Sequence, residues 1–357
     1  MDAMNKVIKN ISNRPYVHAH VSVEHSVICM VAMLLVQILM LVLTKSYSAL
    51  GVIGAALSGV LLANVVVRLL HRSFYFHLST ILLQGILVGM LTPSSYSKFG
   101  IFFITFAVMF VVKLSFNGFA DSWVNPVVAA VALAWIFGIA DFPSYLVSRT
   151  DLYSGSPSIM LIQNGTFPVM PLDAPVTAFL NDTVFSLFGI SIPEGYVSLF
   201  WDSHSVIPAF RFNFICLLSS IVLISFNITA PVIPGCYIAT YALLVLFGEP
   251  FVMHMPGRGD VLLALLTSGT LFCTLFVLQW YGTTPVTMWG KICYGVIGGM
   301  MAFLIIGCGT SPVGSVFTVL LLNIISLFIQ HGEYMLAKSK MHRLLSVTAE
   351  FRRNTNA

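Results

Sequence analysis

The chain has 357 residues, 58% of them hydrophobic and only 8% charged, with a formal net charge of +4. Soluble domains usually carry about 25% charged residues, so this composition excludes a soluble enzyme, a nucleic-acid-binding protein and a disordered chain. The apolar runs are long and unbroken, which excludes a transmembrane β-barrel and leaves an all-α polytopic protein with the lipid bilayer as its solvent.

In chain order, residues 1–25 are polar and include Lys6, Lys9 and Arg14. The apolar run after them is too long for the core of a cleaved leader, so 1–25 reads as a cytoplasmic N-terminal segment. About twenty apolar residues cross a bilayer. That rule predicts ten spans, at 26–44, 49–70, 75–93, 99–117, 124–141, 210–228, 231–248, 260–280, 289–307 and 311–330. Five lie in 26–141 and five in 210–330, an even division that suggests two structural repeats. A basic cytoplasmic tail, 331–357, completes the chain.

Between the halves lies the long polar segment 142–209, with Asp151, Asp173, Asp182, Glu194 and Asp202 among turn formers. Connections this long are functional or disordered, and the mixture of aromatic and aliphatic residues predicts a folded extramembrane element. With both termini in the cytoplasm, only Lys45, Lys98, Arg149, Arg211 and Arg258 of the 17 Lys and Arg residues fall outside. The positive-inside rule therefore puts 142–209 on the outer face of a cell inner membrane. Six cysteines (Cys29, Cys216, Cys236, Cys273, Cys293 and Cys308) sit in apolar runs without CxxC spacing. They read as small buried hydrophobes; an intramembrane cluster shared with a partner subunit is the alternative.

Three polar features stand out. Lys113-Leu-Ser-Phe-Asn117-Gly118 leads to Trp123-Val-Asn125-Pro126, and Asn before Pro supplies a helix N-cap and a favoured first residue. Such an end offers free N–H groups to an anion, or is an ordinary capped start. Asp151-Leu-Tyr-Ser154-Gly155-Ser156-Pro157-Ser158-Ile159 is locally a polar turn. Thr267-Ser268-Gly269-Thr270 and Thr283-Thr284-Pro285-Val-Thr287 place hydroxyls in or beside spans, where they satisfy backbone groups or line a polar cavity. Neither GxGxxG nor GxxxxGK[ST] occurs.

Taken in order, these segments resemble one family over roughly residues 14–331: the D subunit of the Rnf electron-transport complex and the B subunit of the sodium-pumping NADH:quinone reductase. The matching pieces are Arg14-Pro15-Tyr-Val-His18, Gly89-Met-Leu-Thr-Pro93, Lys113 through Pro126, Ser268-Gly269 through Phe276, Thr284-Pro285-Val-Thr287 with Gly290-Lys291 and Tyr294-Gly295, and Leu320-Leu-Leu-Asn323. The resemblance implies two inverted five-helix repeats, similar to urea transporters. It implies FMN on the outer face, held by a phosphodiester to a Thr in an Asp-x-x-Ser-Gly-Ala-Thr-Pro-Leu loop, attached by a separate flavin transferase and exchanging electrons with other complex subunits. The loop here would comprise Asp151, Ser154, Gly155, Ser156 and the residues just after them. Pro157 stands at the attachment Thr, so Ser158 is the favoured hydroxyl and Thr177 the second candidate. A non-covalent flavin (riboflavin) or an ion path is expected near Lys113, Asn117, Asn125 and Thr284.

The chain departs from the family at acidic positions. Ser203-His204-Ser205, Gln279-Trp280-Tyr281, Val313-Gly314 and Gln330 stand where the family carries carboxylates. Intramembrane carboxylates are the usual carriers of ion coupling, so coupling to Na+ or H+ is expected to be lost or changed. Rival readings are a urea-transporter-like pore for a small neutral solute and a structural subunit without flavin.

Overall fold

The computed structural model describes residues 21–70, 77–116, 122–143, 168–189, 191–253, 261–306 and 313–355. Among them every regular element is helical. In lipid a backbone must satisfy its own hydrogen bonds, and apolar runs of this length do so as helices. The first half holds α1 (Val23–Leu43), α2 (Tyr47–Leu70), α3 (Leu78–Leu91), α4 (Lys98–Ser115) and α5 (Pro126–Phe137). The segment between the halves contributes α6 (Asp173–Thr183) and α7 (Tyr196–Trp201). The second half holds α8 (Asn213–Ser225), α9 (Val232–Met253), α10 (Val261–Thr267), α11 (Met288–Ile306) and α12 (Gly314–Thr355).

Among the described residues five helices are long and apolar enough to cross a membrane: α1, α2, α4, α11 and the Gly314–His342 part of α12. α3, α5, α8 and the Val232–Gly248 part of α9 are shorter and apolar. Phe103, Leu304 and Phe328 are exposed on the outside of the bundle, as lipid-facing side chains should be. Inside lie Trp280, Tyr237, Tyr241 and Tyr294, all buried.

The two halves pair their helices alike. α2 packs most extensively on α4, and α9 on α11. Both pairs run parallel. Gly51 meets Lys98 while Gly59 meets Phe102 and Phe106; likewise Gly295 meets Ile233 and Gly299 meets Thr240. Each seam is too tight for a side chain. A Cβ at Gly59 would lie 2.6 Å from the Phe102 carbonyl oxygen, and one at Gly299 2.6 Å from that of Tyr237. Without a hydrophobic drive between helices in lipid, such close backbone approach supplies the packing. The halves meet where α5 packs on α12, with Trp135 edge-on to Phe317 at 5.2 Å between ring centroids, and where α1 packs on α8.

Two expectations are corrected. The run 260–280 is not one helix: α10 ends at Thr267, a helical turn resumes at Thr270–Phe272, and Cys273–Val277 forms a π-turn. Gly269 at the break has φ +68°, a left-handed conformation that a Cβ disfavours. The π-turn carries a Leu278 N–H to Cys273 carbonyl bond of 2.7 Å. The helix that holds the run 311–330 extends beyond it. α12 continues through the basic tail to Thr355 because no proline follows Pro312.

A clamped helix break and a buried outer carboxylate form the candidate site

The break exposes backbone carbonyls to the interior of the bundle, and two asparagines meet them. Asn125 caps α5: its Oδ1 accepts from the Val127 N–H at 3.0 Å, with Pro126 first in the helix. Its Nδ2 donates to the Val277 carbonyl at 3.0 Å, at the end of the π-turn. Asn213, first residue of α8, donates to the Leu266 carbonyl at 2.9 Å on the other side of the break. Both side chains are buried. Between them Ser268 Oγ donates to Thr270 Oγ1 at 2.9 Å and accepts from the Thr270 N–H at 3.3 Å. The hydroxyls in this run therefore satisfy local groups and build the break.

Further polar atoms sit nearby in sequence or across the bundle. Gln37 Nε2 on α1 donates to Cys216 Sγ on α8 at 3.2 Å, and Cys273 Sγ donates to Ser315 Oγ at 3.4 Å. Gln37 Oε1 and both amide atoms of Asn323 are buried without a hydrogen-bond partner among the described residues. Lys113, at the end of α4, donates to Asn64 Oδ1 on α2, whose Nδ2 in turn donates to the Val60 carbonyl at 2.7 Å.

At the foot of α12 a second clasp forms. Glu333 accepts from the N–H groups of Val286 (3.1 Å) and Thr287 (2.9 Å) and from Thr287 Oγ1 (2.5 Å). A carboxylate here lies at the N-terminus of α11, where the helix dipole favours negative charge. Gln330, one turn earlier on the same face, donates to the Thr284 carbonyl at 3.2 Å.

The element between the two halves is organised by Asp173, which is fully buried at the start of α6. Its Oδ1 accepts from the Gly195 N–H (2.8 Å) and Thr177 Oγ1 (2.9 Å), and its Oδ2 from the Ser198 N–H (2.7 Å) and Ser198 Oγ (2.5 Å). Burial alone would raise this carboxyl; the bonds from Gly195, Ser198 and Thr177 outweigh it and hold it below the usual carboxylate range. Asp202 anchors the element to the bundle through a bidentate pair with Arg211, at 3.0 and 2.5 Å, and Arg211 Nη1 also donates to Ser46 Oγ at 2.6 Å beyond the end of α1.

Of the residues expected at a flavin site, Asp151, Ser154, Gly155, Ser156 and Ser158 lie outside the described residues, as does Asn117. Thr177 does not suit a phosphodiester: it is 2% exposed and its hydroxyl is spent on Asp173. Lys113, Asn125 and Thr177 each bond to a different partner, Asn64 Oδ1, the Val277 carbonyl and Asp173 Oδ1 respectively. The sequence reading missed Asn213, Glu333 and the role of Asp173. Only Asp173 carried a visible signal, an acid in the first turn of a short helix.

Together the apolar exterior, the parallel helix pairs and the clamped break define a multi-pass helical membrane protein. The model of the NQR2, RnfD, RnfE family matches residues 10–335, and the chain belongs to that family. It is 23% identical over 332 residues to the D subunit of the Na(+)-translocating ferredoxin:NAD(+) oxidoreductase complex of Acetobacterium woodii, covering 90% of this chain and 92% of that protein. It is 24% identical over 272 residues to the D subunit of the ion-translocating oxidoreductase complex of Marinobacter nauticus, covering 72% and 74%. With the same subunit of Mannheimia succiniciproducens it shares 32% identity over 115 residues, 32% of either chain.

Proposed function

We propose that the chain is the membrane flavoprotein subunit of an Rnf-type ion-translocating oxidoreductase complex. The observation that carries the reading is the family match over residues 10–335, together with relatives named as the D subunit of such complexes. In this reading the protein is two inverted five-helix repeats in the cell inner membrane with both termini cytoplasmic. The alike pairing of α2 with α4 and of α9 with α11 supports the repeat, and the Lys and Arg distribution supports the orientation.

FMN, attached by a flavin transferase at Ser158, would supply electron transfer at the outer face; the redox chemistry is the cofactor's. The described residues contribute by holding the outer element rigid through Asp173 and fixing it to the bundle through Asp202 and Arg211. Other subunits of the complex are the electron partners. In this reading coupling to Na+ or H+ is lost or changed, because Gln279 and Gln330 stand near positions where the resemblance implies carboxylates; the Asn125–Val277 junction is one place where the two halves grip each other.

The test is in-gel flavin fluorescence of the denatured protein, purified with its complex. The expected result is a fluorescent band that Ser158→Ala darkens and Thr177→Val leaves bright. A dark wild-type band from a protein whose liposomes pass urea overturns the reading in favour of a solute pore.

A further inference from the structure

In an element facing water, a helix hides its apolar residues and exposes its polar ones. α6 departs from this. Two of its polar residues, Asp173 and Thr177, are buried in the network with Gly195 and Ser198, while Asp182 and Thr183 near its end stay exposed. Asn181 is tied to Ile192 by a pair of 2.9 Å bonds, its Nδ2 donating to the Ile192 carbonyl and its Oδ1 accepting from the Ile192 N–H. Leu172, Val176 and Phe179, spaced four and three apart, form one stripe on the outside, and Leu172 and Phe179 are 66% and 63% exposed. Leu187, in the turn after α6, is 80% exposed. The hydrogen bonds on the inner face fix the rotation of the helix, so the apolar stripe is presented by design of the fold.

The charge around the stripe decides what covers it. Residues 168–202 contain no Lys or Arg. Asp182, one turn from Phe179, is exposed, and so is Glu194 beside the N-terminal end of α6. Helices that lie on lipid carry Lys and Arg on their polar face; this one carries carboxylates. A protein interface with an apolar centre and a charged rim fits both features.

We infer that the Leu172–Val176–Phe179 stripe is a docking surface for another protein subunit that presents an apolar patch rimmed by Lys and Arg. The identity of that subunit as a member of the same complex rests on the proposed function; the surface itself does not.

The test places a photoreactive benzoyl-phenylalanine at Phe179, and separately at Leu187, in the complex assembled in its own membranes. Irradiation is expected to give adducts to one other subunit, at a peptide in which apolar residues flank Lys or Arg. Asp182→Lys, with the stripe intact, is expected to weaken retention of that subunit about tenfold, as is raising the salt. Adducts to lipid alone, to a second copy of this chain, or to nothing overturn the inference, and so does retention unchanged by both Asp182→Lys and Phe179→Glu. Phe179→Ser, at an exposed site, checks that the element still folds by leaving its protease resistance unchanged. Loss of flavin fluorescence in the wild type would overturn the flavin reading and leave these outcomes unaffected.

Discussion

The Asn125 amide nitrogen and the Val277 carbonyl oxygen are 3.0 Å apart. One belongs to the cap of α5 in the first half and the other to the π-turn in the second. A single side chain therefore starts one helix and ends the irregular stretch of another. Buried backbone carbonyls need a partner, and Asn125 supplies one to Val277.

Asn125→Ala removes both the cap and the bridge. The cap alone costs about 1 kcal/mol and an unpaired buried carbonyl roughly 1–3 kcal/mol. Asn125→Ser keeps a cap oxygen for the Val127 N–H and is too short to reach the Val277 carbonyl. Thermal unfolding in detergent is expected to rank wild type above Asn125→Ser above Asn125→Ala; an Asn125→Ser variant as stable as the wild type would show that the bridge contributes nothing.

Gly269→Ala tests the break. The left-handed conformation costs an L-residue about 1–2 kcal/mol, and the added Cβ would press on the Phe210 ring. The variant is expected to lower the unfolding temperature more than Gly54→Ala, where a Cβ meets nothing within 4 Å.

The Asp173 network gives the outer element a pH dependence with a definite sign. The carboxyl is held below its ordinary value, so its contribution to stability is present above the unfolded value of about 3.9 and is lost as pH falls through the folded value. Proteolysis of the 168–202 region is expected to accelerate below about pH 4. Asp173→Asn should accelerate it at pH 7 by leaving donors unpaired, at a cost of roughly 1–3 kcal/mol, and should flatten the pH profile.

Glu333→Gln removes the charge that caps α11. Carboxylates at helix N-termini contribute about 0.3–1 kcal/mol, so amide exchange at Val286 and Thr287 should speed up by roughly two- to fivefold, a factor set by that energy. Exchange in α2 should not change.

The membrane class and the N-cap at Asn125-Pro126 were legible in the sequence because each depends on residues adjacent in the chain. The helix break was half legible: Ser268 and Gly269 stood out as polar and small, but the apolar residues on both sides read as one span. Asn213 and Glu333 were not legible, since each acts on a partner far along the chain, 53 residues away for Leu266 and 46 for Thr287. Thr177 resembles an attachment hydroxyl in the sequence because an Asp precedes it, at a spacing shorter than that of the loop motif. In the fold the same spacing is one turn of α6, which points the hydroxyl at Asp173.

α12 runs unbroken for 42 residues, about 63 Å of helix, of which about 22 residues, or about 33 Å, lie beyond Glu333. The family match ends at residue 335. This chain therefore carries a rigid rod fastened at its base to the N-terminus of α11, with Tyr334, Leu336 and Met341 exposed beyond the clasp. A tilt at the base of such a rod would be multiplied along its length into a displacement of several Å at the tip, and a spin label at Met341 would read it out.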